Sequence, residues 1–232
     1  MRRRLAPTLM VLLATAACAT GSEFSPQPPP LYGEPKLWVP AWHSAKLANG
    51  LVVHVNPDPN LPLVSVALAI RGGRLAEPLE KAGLTYVLAN SMITRTAHLS
   101  RPELAQVFDR VGGVPNVSVM PDGMVFRLDV LDDALPMAVK LLAALVMDAG
   151  SDETSLARVR AEHRGLLESL ESSPAAAGIQ GLRQVVYGVD HPLGLPWAGP
   201  HRTVAALTVA DLEERYLQVV RPSNIVIAVA AL

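Results

Sequence analysis

Apolar residues recur along this chain with two different spacings, and each spacing predicts one type of secondary structure. Alternation of apolar and polar residues indicates a strand, and a short continuous apolar run is consistent with a buried one. Strands are predicted on this basis at residues 51–55, 63–71, 117–120, 125–131 and 225–229. Apolar residues that recur three and four positions apart indicate a helix. Helices are predicted at residues 81–94, 101–111, 134–148, 153–171, 175–187 and 208–220.

The order of these elements predicts the fold class. Two strands come first, helices and a strand hairpin follow, and a strand comes last. Turn residues at Asn49-Gly50 and Pro121-Asp122-Gly123 favour strands that run antiparallel to each other. We therefore predict an α+β domain over residues 43–232, with a mixed, largely antiparallel sheet and helices packed on one face.

The first 42 residues have a different pattern and a different explanation. Three arginines at positions 2–4 precede an apolar run over residues 5–17, as in an export signal. Cys18, the only cysteine, follows two alanines, which resembles a bacterial lipoprotein signal cleaved before a lipidated cysteine. Ordinary cleavage nearby, with an incidental Cys18, is the alternative. Residues 18–42 are rich in proline and are predicted to be a tether, so we expect an exported, lipid-anchored protein of the cell envelope that faces the periplasm.

Composition narrows the choice of partners. The chain of 232 residues has a formal net charge of −1, and only 18% of its residues are charged. Basic residues form no cluster beyond positions 2–4, so the chain lacks the cationic surface that neutralises phosphates. A nucleic-acid partner is not expected.

The most informative stretch runs from Gly83 to Met92, within a predicted helix. Its apolar residues at positions 84, 87 and 88 form one face. Tyr86, Ala89 and Asn90 lie on another face with the spacing i, i+3 and i+4. In the motif His-x-x-Glu-His, the same three positions carry two zinc ligands and the carboxylate that activates water.

Several short motifs occur in an order and spacing that resemble the amino-terminal domain of the insulinase and pitrilysin zinc peptidases. The resemblance covers residues 45–232. It is carried by Leu47-Ala48-Asn49-Gly50-Leu51, Gly72-Gly73-Arg74 with Glu77, Gly83-Leu84, Gly112-Gly113 with Asn116, Tyr187-Gly188 with His191-Pro192, and Arg221-Pro222-Ser223-Asn224. The resemblance implies a zinc ion held by two histidines and a later glutamate, and usually a second, homologous domain.

In this chain the resemblance places the first histidine on Tyr86, the general base on Ala89 and the second histidine on Asn90. The later glutamate falls between Leu166 and Glu168. Alignment on Pro174 favours Leu166, whereas a small shift makes Glu168 a possible remnant or leaves it a solvated carboxylate. Catalytic zinc needs about three protein ligands, so we expect no zinc, no other cofactor and no catalytic residues.

Two further features bear on binding. The resemblance implies that Asn116, Val117 and Ser118 form a sheet edge to which a peptide adds as a strand, with an ordinary edge strand as the alternative. His163 lies on the apolar stripe of its helix and is predicted to be a packed histidine. His98 and His191 fall on separate elements, which disfavours an unconventional hydrolytic site built from these three histidines.

These observations leave several functional hypotheses. The first is a non-catalytic peptidase homologue, tethered to the membrane, that serves a zinc-bearing insulinase-family subunit as a partner or as a peptide-binding module. The second is a structural or assembly protein without a peptidase partner. The third is a truncated zinc metallopeptidase, in which the apolar strand at 225–229 would be exposed.

Overall fold

The sheet is mixed and mostly antiparallel, as the order of the elements predicts. The computed structural model describes residues 41–57 and 62–231. The strands are β1 (His43–Lys46), β2 (Val52–Pro57), β3 (Leu63–Arg71), β4 (Asn116–Val119), β5 (Gly123–Leu131) and β6 (Ile225–Ala231). Their order across the sheet is β1-β2-β6-β3-β5-β4. Neighbouring strands run antiparallel except β2 and β6, which run parallel.

The described residues form seven helices, of which six are predicted, with small changes at their ends. They are α1 (Leu84–Met92), α2 (Arg101–Val111), α3 (Leu135–Met147), α4 (Glu153–Ser172), α5 (Pro174–Tyr187), α6 (His201–Ala206) and α7 (Val209–Val219). Capping boxes fix the starts of α2, α4 and α7, because each satisfies backbone N–H groups that the first helical turn leaves free.

The core lies between one face of the sheet and the helices. On β3, residues 64, 66, 68 and 70 are buried while the residues between them stay partly exposed. On β5, Met124, Phe126, Leu128 and Val130 are buried in the same alternation. Leu141, Leu142 and Leu145 of α3 belong to the same apolar cluster. Burial of one strand face only confirms that the helices pack on one side of the sheet.

The structure differs from the predicted helices in two places. The helix predicted at 81–94 starts later, because Gly83 takes the left-handed conformation with φ 98° and the residues before it form a separate 3-10 turn. The short helix α6 was not predicted at all. It follows Pro200 and has only six residues, too few for an apolar period to be recognised.

The predicted export signal, most of the predicted tether and Cys18 lie outside the described residues. Their roles therefore stay predictions. Within residues 41–57 and 62–231, no helix has the length and hydrophobicity needed to cross a membrane.

Candidate functional site

The start of α1 is fixed by a buried carboxylate. Glu77 is only 9% exposed, and its two oxygens accept hydrogen bonds from the backbone N–H groups of Gly83, at 2.8 Å, and Thr85. The partial positive charge at a helix N-terminus stabilises an anion in this position. Glu77 therefore orients the helix that carries the three motif positions. Sequence reasoning noted Glu77 as part of a motif but did not predict this role.

A buried arginine holds the segment that leads to Glu77. The Arg215 guanidinium, on α7, donates to the carbonyl oxygens of Gly72 at 2.9 Å, Gly73 at 3.2 Å and Ala76 at 3.3 Å. Burial lowers the pKa of Arg215, and the negative charge of Glu77 opposes that shift. The C-terminal part of the domain thus positions the N-terminal end of α1.

The three motif positions of α1 lie in different surroundings. Tyr86 is half-buried, and Ala89 is completely buried with 0% exposure. The Asn90 side chain donates to the carbonyl oxygen of Tyr86 at 2.8 Å, so its amide N–H is engaged by its own helix. None of the three presents an imidazole or a carboxylate.

Two aromatic side chains, one from α4 and one from the loop after α5, pack against Tyr86. Its ring centroid lies 5.6 Å from that of His163 on α4 and 5.5 Å from that of Trp197, in an edge-to-face arrangement with Trp197. We call Tyr86, His163 and Trp197 the aromatic cluster. Burial, followed by the charge of Glu162, raises the pKa of the Tyr86 hydroxyl, so Tyr86 is neutral at physiological pH.

His163 is fully buried, which confirms the prediction of a packed histidine. Its Nε2–H donates to the carbonyl oxygen of Gly199 at 3.0 Å. Sequence reasoning missed Trp197, because it lies in an irregular loop far along the chain from Tyr86 and no periodic pattern links the two.

The two candidates for the third ligand position, Leu166 and Glu168, lie on different sides of α4. Leu166 follows His163 by three residues, so both lie on one side of the helix, and Leu166 is half-buried. Glu168 follows His163 by five residues, which turns it about 140° away, and it is exposed. The side of α4 near the aromatic cluster therefore carries Leu166 rather than a carboxylate.

These residues do not fit a zinc ion. Zinc in proteins is held by cysteine, histidine and carboxylate side chains, and Tyr86, Ala89 and Asn90 supply none of these. The third position, between Leu166 and Glu168, supplies at most the exposed Glu168 carboxylate. No three His, Cys, Asp or Glu side chains within residues 41–57 and 62–231 converge in a way that could hold a metal ion. His98 and His191 are both exposed. The ring of His191 stacks on the ring of Tyr187.

The predicted peptide-binding residues lie on an edge strand. β4 is the last strand of the sheet and pairs with β5 alone among the described strands. Met120 N–H donates to Gly123 O at the hairpin turn, and hydrogen-bonded positions alternate along an antiparallel pair. With Val117 opposite Phe126, this alternation directs the N–H and C=O groups of Val117 and Val119 away from β5.

Helix α5 turns its apolar side outward. Ile179 is 54% exposed, Leu182 63%, Val185 85% and Val186 63%; we call these four residues the α5 apolar face. On the inner side, the Gln180 amide donates to the carbonyl oxygen of Gly194. An apolar patch of this kind on a folded domain is typical of an interaction surface.

This chain is similar in sequence to known proteins of one family. Residues 52–199 match the family described as Insulinase (Peptidase family M16). An uncharacterized zinc protease of Bacillus subtilis is 26% identical over 182 residues, which cover 78% of this chain and 44% of that protein. The beta subunit of the mitochondrial-processing peptidase of Saccharomyces cerevisiae is 22% identical over 176 residues, which cover 76% of this chain and 38% of that subunit.

Two solved structures have the same fold. A peptidase M16 inactive domain from Pseudomonas fluorescens superposes with a TM-score of 0.74 at 22% identity, and the match covers 82% of this chain and 46% of that one. The first half of a periplasmic protease from Escherichia coli superposes with a TM-score of 0.75 at 18% identity, covering 82% and 42%. The chain thus spans less than half the length of the relatives it matches. With most of the described domain matched, this chain belongs to the insulinase family, peptidase family M16.

Proposed function

We propose that this domain is a non-catalytic member of the insulinase family that works together with a zinc-bearing member. The observation that carries the proposal is the chemistry of the motif positions. Tyr86 packs in the aromatic cluster, Ala89 is buried and Asn90 bonds to its own helix. None of these side chains can hold zinc or accept a proton from water at neutral pH.

Two observations support a partner that carries another insulinase-type domain. The relatives this chain matches are more than twice as long as the matched segment, so in them a domain of this kind is joined to further chain. The α5 apolar face is open to solvent among the described residues, and contact with a partner would remove it from water. The predicted export signal and lipidated Cys18 would place such a pair at the periplasmic side of a bacterial membrane.

Purification from the native membrane tests this proposal. We expect the tagged chain to bring down, at a fixed ratio, a protein whose sequence retains His-x-x-Glu-His, together with zinc-dependent peptidase activity. A complex of fixed composition without such a protein would instead support a structural or assembly role. Zinc-dependent activity of the isolated chain would overturn the proposal.

The β4 edge is the proposed site where this domain contacts an extended peptide. Strand addition requires free backbone donors and acceptors at a sheet edge, and the alternation along β4 leaves those of Val117 and Val119 available. Asn116 and Ser118 are exposed on the same strand, where their side chains can contact an added peptide.

Replacing Val117 by proline is expected to weaken peptide or partner binding about tenfold while the domain stays folded. Proline removes the outward N–H, and an edge strand tolerates it where that N–H faces solvent. Binding is measured by calorimetry or fluorescence anisotropy with the partner or with peptides that bind the wild type. Val117→Thr, which keeps the N–H, is the matched control. Unchanged binding in the proline variant would rule out docking at this edge.

A further inference from the structure

His163 links two parts of the domain that the chain connects only distantly. Its ring, on α4, donates through Nε2–H to Gly199 in the loop between α5 and α6. That loop lies directly on the start of α1, since a Cβ atom added at Gly199 would come within 2.5 Å of the Ala82 carbonyl oxygen and the Gly83 Cα. The hydrogen bond thus holds α4, the loop and the N-terminus of α1 together.

The hydrogen bond also determines the tautomer of the neutral ring. A carbonyl oxygen can only accept, so Nε2 carries the proton and Nδ1 is left with a lone pair in the neutral form. Nδ1 is buried and has no hydrogen-bond partner among the described residues. Protonation would create a second N–H and a positive charge at that position, and burying either without a partner is costly.

Among the described residues, no hydrogen bond or ion pair joins the His163 ring to a carboxylate that would offset the charge. Tyr86 contacts the ring from α1, and the loop contributes the backbone of Ala198 and Gly199; none of these groups is ionised at neutral pH. His201 of α6 repels the imidazolium form. On α4 itself, the adjacent residue Glu162 pairs with Arg158 at 3.0 Å.

We propose that His163 is an acid-sensitive latch: the neutral ring stays buried beneath loop 194–200, whereas a ring protonated at Nδ1 carries a charged N–H that needs water, so the loop opens to admit it. The Nε2–H bond to Gly199 exists in both forms, so the buried and unpartnered Nδ1 is what makes opening depend on pH. Release would uncover Tyr86, Trp197 and the N-terminal end of α1, which lie beside the three motif positions. Thr203 supplies a second tie, since its hydroxyl donates to the Ala82 carbonyl oxygen at 2.6 Å, so the opening is local. This device goes beyond the partner role and does not depend on it.

The direction of the pH effect follows from linkage. Burial is the largest cause that lowers the pKa of His163 below its ordinary value of 6.5, and it outweighs the opposing effect of the Gly199 and Ala198 carbonyls. The closed state therefore binds a proton less readily than the open state. As the pH falls below about 6.5, opening becomes easier by up to about tenfold per unit until the pKa of the closed state is reached.

Hydrogen exchange of the folded domain between pH 7.5 and 5.0 tests the latch. After correction for the intrinsic rate, we expect protection of the amides in residues 195–204 to fall with acidification, up to about tenfold per unit, while β3 and β5 stay protected. His163→Gln keeps a neutral N–H donor and should remove this pH dependence. His98→Gln, at an exposed histidine, should retain it.

Two outcomes would overturn the latch. One is equal pH dependence of residues 195–204 in wild type and His163→Gln. The other is a titration midpoint at or above 6.5 for the His163 ring, followed by NMR on the wild-type protein. The NMR titration keeps the proposal testable even if His163→Gln does not fold.

Discussion

Glu77→Ala is expected to destabilise the domain by about 3 kcal/mol. The change removes the carboxylate that accepts hydrogen bonds from the backbone N–H groups of Gly83 and Thr85, and both N–H groups would then be buried without an acceptor. The Arg215 guanidinium would also lose the negative charge that offsets its burial. The free energy of unfolding is measured by urea denaturation and compared with Glu80→Ala, at an exposed carboxylate three residues later.

Glu77→Gln separates the two contributions of this side chain. The amide retains an oxygen acceptor but loses the charge. We therefore expect the free energy of unfolding of Glu77→Gln to lie between those of Glu77→Ala and the wild type. If Glu77→Ala and Glu80→Ala were equally stable, the start of α1 would not depend on this carboxylate.

Ala89→Glu introduces a glutamate where the resemblance places the general base. It is expected to lower the free energy of unfolding by about 4 kcal/mol. Ala89 has no exposed surface, so the new carboxylate would be buried without a partner and would also displace neighbouring side chains. Thermal or urea unfolding measures the loss. A glutamate at position 89 alone is therefore disfavoured both by the lack of space and by the burial of its charge.

The matched control for this change is Asn90→Glu. Asn90 is partly exposed, so a carboxylate there can reach water, and we expect a loss of about 1 kcal/mol. An Ala89→Glu variant as stable as the wild type would show that the space beside Ala89 is larger than the structure indicates, and would remove the steric argument against a carboxylate at this position.

Much of the fold could be predicted from the sequence because apolar spacing and capping residues act locally. The Ser100 and Glu103 capping box, for example, fixes the start of α2 where the pattern places it. β1 gives no comparable signal, since all four of its residues are exposed and no apolar face distinguishes it. α1 begins late for a backbone reason, the left-handed Gly83, which apolar spacing does not reveal.

The candidate site was predictable only in part. The spacing of Tyr86, Ala89 and Asn90 on one helix places them together whatever the tertiary fold. The contacts of Tyr86 with His163 and Trp197 depend on how α4 and the following loop pack against α1. Such contacts join residues far apart in the chain, and periodicity carries no information about them.

Zinc analysis of the purified domain tests the central claim most directly. The protein is saturated with zinc, dialysed and measured for metal by mass spectrometry, beside Tyr86→Ala and Asn90→Ala variants. We predict that wild type and variants retain the same trace of zinc, far below one ion per chain. About one tightly held zinc per chain in the wild type, lost in either variant, would contradict the account, because it would place a metal site at the positions now proposed to be inactive.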